Sequence, residues 1–71
     1  MTINLTAEEK TIIIEQHLKA IAFAEYNAVL SLAQENALSN PNAEIVLSLN
    51  TKIQDSLAQK QILQDELNSL S

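Results

Sequence analysis

Not one glycine occurs in the 71 residues, and the only proline is Pro41. Tight sheet turns rely on positive φ, which glycine adopts most readily. A chain lacking it is a poor candidate for a meander or a sandwich. Proline disfavours helical geometry in the residue before it and interrupts a helix that tries to run through it. With nothing else to punctuate the chain, the pattern reads as two long helices and one break.

The first helix has a readable start. Thr6 is followed three residues later by Glu9, the capping-box spacing, and Glu8 and Glu9 place negative charge at the positive end of the helix dipole. The spacing predicts helix 1 over about 7–38, with Ala20, Ala22, Ala24, Ala28, Ala33 and Ala37 as strong helix formers. The break is Ser39-Asn40-Pro41-Asn42. Asn40 is the expected N-cap and Pro41 the expected first residue of helix 2, which runs over about 41–69. The turn then lies at 39–42, and the whole chain, 1–71, is one domain.

Two apolar patterns set a register. Helix 1 carries Ile14, Leu18, Ile21, Glu25, Ala28 and Leu32 at alternating steps of four and three. Helix 2, read backwards, carries Leu67, Leu63, Lys60, Ser56, Ile53 and Leu49 at the same steps. Reversal at the break sets Ile14 against Leu67, Leu18 against Leu63, Ala28 against Ile53 and Leu32 against Leu49. Such heptad spacing is what an antiparallel coiled-coil-like hairpin needs. In the middle, Ile21 faces Lys60, Glu25 faces Ser56, and Glu25 and Lys60 become diagonal neighbours. Either Lys60 extends outward with Glu25 at the rim, or the two charges pair inside the seam and fix the register.

Helix 1 has more apolar surface than helix 2 can cover. A second stripe, Ile12, Phe23, Tyr26, Leu30, Ala33 and Ala37, lies well over 100° around from the first. Small residues Ala20, Ala24, Asn27 and Ser31 occupy the other flank. A helix apolar nearly all round is normally buried on several sides. Chains this small also tend to need disulfides, a metal or oligomerisation for stability, and there is no cysteine. The expectation is an all-α hairpin that assembles through helix 1 into a helical bundle, a homo-oligomer and in the first instance a four-helix dimer. Leu47, Leu57 and Ile62, off the main seam of helix 2, are candidates to cover a neighbour's flanks. The alternative is a small adaptor or inhibitor that docks the same stripe on a different protein, with Phe23 and Tyr26 as anchors.

Other functions find little support. The four basic residues are all lysine and scattered, and the net charge is −5. Nucleic acid and anionic membrane both select a basic stripe, so neither is expected as a partner. The apolar window from Ile12 to Ala33 includes Glu15, His17, Lys19 and Glu25, each costly in a bilayer. No positively charged leader is visible near Met1. A chain acting inside the cell, in the cytoplasm, is expected; the lack of arginine among many Ile, Asn and Lys residues suggests an AT-rich genome such as that of a virus. His17, the lone histidine, has Ile14 three residues before it where a di-iron bundle has glutamate. No serine has a nearby base. Hence no catalytic residue, metal ligand or cofactor is assigned, and the chain reads as non-enzymatic.

Overall fold

The computed structural model describes residues 4–70. It consists of two helices, α1 (Ala7–Asn36) and α2 (Ala43–Ser69), packed against each other as a hairpin. The molecule measures 57 × 24 × 14 Å. A helix with its side chains is about 10–12 Å across, so the hairpin is two helices wide and one helix thick.

The capping box at the start of α1 forms as its sequence predicts. The Glu9 N–H donates to Thr6 Oγ1 at 3.1 Å, and the Thr6 N–H donates to Glu9 Oε1 at 3.0 Å. These bonds satisfy two amides that the first helical turn leaves without partners. The Thr6 backbone N–H first, and the Thr6 hydroxyl beside the carboxyl second, hold Glu9 below the ordinary carboxylate range.

The break differs in detail from the sequence expectation. Helix α1 stops at Asn36 and not near Leu38, and α2 begins at Ala43 and not at Pro41. The N-cap is Asn42, not Asn40: its Oδ1 accepts from the Glu44 and Ile45 N–H groups at 2.9 and 3.3 Å. Pro41 therefore precedes the cap. Asparagine at 42 gives the first turn of α2 a side-chain acceptor that an N-cap two residues earlier could not deliver there. The end of α1 shows how a glycine-free chain closes a helix. No described residue has positive φ, and Ala37, the C-cap, stays right-handed. Its N–H reaches both Ala33 O and Gln34 O, and the Leu38 N–H reaches Glu35 O. The last turn tightens in place of the left-handed cap common elsewhere. Glu35 Oε1 then accepts from the Asn42 N–H at 2.8 Å, clamping the end of α1 to the start of α2.

The heptad seam is visible in the pattern of exposure. Within α1 the only residues not exposed are Thr11, Ile14, Leu18, Ile21, Glu25, Ala28, Leu32 and Glu35. In α2 they are Val46, Leu49, Ile53, Ser56, Lys60, Leu63 and Leu67, with Leu70 at the C-cap. All twelve residues of the predicted seam are among them, and the seam extends one further step at each end. Only Ile14 and Ala28 are fully buried, at 7% and 5% exposure. The rest keep one edge in water, because a single neighbouring helix covers only one stripe. No helix among the described residues is long and apolar enough to cross a membrane.

The Asn42 side chain caps α2 while its backbone N–H, which alanine keeps, makes the tie to Glu35, so Asn42→Ala removes the cap alone and is expected to lower stability by about 1 kcal/mol, read from urea unfolding. Glu9 gives a pH signature. Its folded-state pKa is depressed, so its contribution is present above the unfolded-state pKa and is lost as pH falls through the folded one. Glu9→Gln preserves the capping geometry without a titrating group; the variant should lose less stability than the parent between neutral and acidic pH in thermal melts.

Candidate functional site

The seam leaves the far side of α1 uncovered. Counting by heptads, the predicted stripe occupies the positions opposite the seam, and every member is exposed: Ile12, Phe23, Tyr26, Leu30, Ala33 and Ala37. Phe23 and Tyr26 are 67% and 64% exposed. Together with Lys19 and Ala22 they line one shallow apolar groove.

The stripe is not uniform. From Phe23 it steps one turn at a time through Tyr26, Leu30 and Ala33, which makes a contiguous patch. Ile12 is set apart from it by Gln16 and Lys19, which occupy the intervening positions of the same face. Ala37 lies beyond the last helical residue, at the C-cap. Val29, which the sequence pattern alone did not single out, is exposed beside Leu30 and widens the patch toward the seam. Its signal was present: Ala22 and Val29 sit seven residues apart on the flank between the two stripes.

The two broad faces of the hairpin differ. One carries Ala22, Tyr26, Val29 and Ala33 of α1, with Leu18, Leu57, Lys60, Gln61 and Gln64 lining a groove between the helices. The opposite face carries two grooves. One is bounded by Ala24, Asn27, Ala28, Ser31, Leu49 and Lys52, and the other by His17, Ile21, Gln59, Ile62 and Leu63. Leu57 and Ile62 thus lie on opposite faces. Leu47 and Ile62, the expected flank covers, are among the most exposed apolar residues of α2, at 68% and 67%.

Lys60 turns into the seam. Its Nζ lies 2.7 Å from Glu25 Oε2. That oxygen is itself shielded from water, so the Lys60 ammonium is the group that balances its charge. The side chains of Lys60 and Glu25 remain 34% and 24% exposed, so solvent screens part of that attraction. The pair ties the two helices at the middle of the seam, as the Glu35–Asn42 bond does at the turn. Among the described residues no group of three or more His, Cys, Asp or Glu side chains is placed to hold a metal ion.

Compared with protein-family models, with curated proteins and with solved structures, the chain matches none.

The middle of the seam can be tested by substitution. Lys60→Met leaves a shielded carboxylate oxygen with no counter-charge and is expected to cost about 1 kcal/mol. Replacing both residues by leucine removes the charge and fills the layer; that double variant should melt at or above the parent temperature. A double variant that melts below the parent would show that the ion pair contributes more than apolar packing can.

Proposed function

We propose that this chain is a non-enzymatic structural or protein-interaction module whose working surface is the uncovered face of α1, and whose partner is a second copy of itself. The observation that supports this reading is surface area. A compact monomer of 7.8 kDa exposes about 4,400 Å². This hairpin exposes 5621 Å². The excess, about 1,200 Å², is on the scale of the roughly 800 Å² that each partner buries in a stable protein interface.

Shape supports the same reading. The radius of gyration is 16.6 Å, where a compact chain of this length has about 11 Å. Stable domains are built from two or more layers packed around a shared core, and this hairpin is one layer. A second copy docked on the α1 face, which lies opposite the seam, covers the stripe with the partner's α1, so that the two α1 helices are inside and the two α2 helices outside. The anchors are the aromatic pair Phe23 and Tyr26, residue types whose burial contributes most per side chain. An open acidic surface without a basic stripe supports neither a nucleic acid nor an anionic membrane as the partner.

Light scattering after size exclusion should give twice the 7.8 kDa chain mass at micromolar concentration. Tyr26→Asp combined with Leu30→Asp should return the mass to that of one chain, since four buried carboxylates per dimer cannot be hydrated or paired there. A folded monomer of the parent chain would reject self-association and direct the search to a different protein bound at the same stripe.

A further inference from the structure

The patch has an internal symmetry that specifies how a second copy sits on it. Resting on the self-association proposed above, we infer that two hairpins dock with their α1 helices antiparallel, about a two-fold axis that passes close to residue 28. In a two-fold interface the same patch serves both copies, and its centre lies on the axis. The contiguous apolar patch runs Phe23, Tyr26, Leu30, Ala33, and it is symmetric about that point. Antiparallel docking there places Phe23 over the partner's Ala33 and Tyr26 over the partner's Leu30, then the same pairs again in reverse. Large side chains meet smaller ones, the arrangement that interdigitates without voids. On the flank the axis brings Asn27 beside the partner's Asn27, and two carboxamides can each donate to and accept from the other.

Charge selects the same register. Helix α1 has no basic residue in its last turn, and that turn includes the acidic Glu35, so the negative end of its dipole is uncompensated from within the chain. The next layer out from Phe23 is Lys19, already at the edge of the Phe23–Tyr26 groove. In the proposed register Lys19 lies over the partner's Ala37, the C-cap of the partner helix. Alanine leaves room for the lysine stem, and the ammonium reaches the carbonyl end that lacks a cation. Each copy supplies this charge to the other.

Other registers do worse. Shifting the antiparallel contact by one heptad toward the N-terminus places Gln16 on the partner's Ala33 and Lys19 on the partner's Leu30, so polar groups enter the middle. Parallel docking stacks Lys19 on the partner's Lys19 and aligns like ends of the two helix dipoles.

Since the chain has no cysteine, single-cysteine variants carry one nitroxide label each without further engineering. Gln16→Cys and Asn27→Cys are both at exposed polar positions. With a rise of about 1.5 Å per residue, the proposed register separates labels at 16 by about 36 Å along the axis, whereas labels at 27 face each other within about 15 Å. Double electron–electron resonance and continuous-wave line broadening read these two distances. Labels at 16 about 25 Å apart would indicate the shifted register, and labels at 16 within about 15 Å would indicate parallel docking; either overturns this inference while leaving self-association standing. Labels at 27 far apart in a confirmed dimer would mean a different face and also overturn it. A monomeric mass for both labelled variants and for the parent chain overturns self-association and register together.

Discussion

A single layer of two helices has no interior. Each helix of this hairpin has one neighbour, and one neighbour shields one stripe of side chains about one residue wide. That constraint determines almost everything else in the molecule. It explains why only Ile14 and Ala28 are fully buried, why the other seam residues keep an edge in water, and why a chain with 46% apolar residues leaves Phe23, Tyr26 and Leu30 bare. The protein has apolar surface enough for two layers and the backbone for one.

Within that narrow seam, polar contacts do work that a thicker core would leave to packing. A seam of heptads is nearly self-similar, so a slip by seven residues still sets apolar side chains against one another. The Glu25–Lys60 pair and the Glu35–Asn42 bond are not self-similar. Each forms in one register only, one at the middle and one at the turn. Their free energies are small because water reaches both. Their effect is on which alignment wins, and a small difference suffices to choose between alignments of similar apolar burial.

The absence of glycine shapes the turn in the same spirit. Without a residue suited to positive φ, α1 ends by tightening its last hydrogen bonds, and α2 starts from an asparagine cap. The end of α1 consequently remains electrostatically open, with Glu35 engaged in the turn and no cation in the last turn. The open carbonyl end and the bare aromatic patch lie on one helix, two features that a second helix lying antiparallel can answer at once.

Much of this was legible in the linear chain. The two helices, the twelve-residue seam, the register and the capping box follow from spacing, since a 3.5-residue period records which side of a helix is covered. The excess stripe on α1 was legible for the same reason. The position of the break was legible only to within two residues. Asn40 and Asn42 both have capping side chains, and the choice between them depends on where Glu35 of the other helix reaches, a contact across the turn that no local pattern encodes. Whether Lys60 extends outward or pairs with Glu25 was likewise undetermined, because a lysine stem spans both options and the neighbouring helix supplies the counter-charge. Tertiary structure decided that α1 stops at Asn36, which leaves Ala37 beyond the helix, and which off-seam residues stay exposed; the gap made by Gln16 and Lys19 after Ile12 and the Ala22–Val29 spacing were already present in the sequence. Periodicity along one helix reports direction around its axis; distance between side chains on different segments exists only once the chain has folded back.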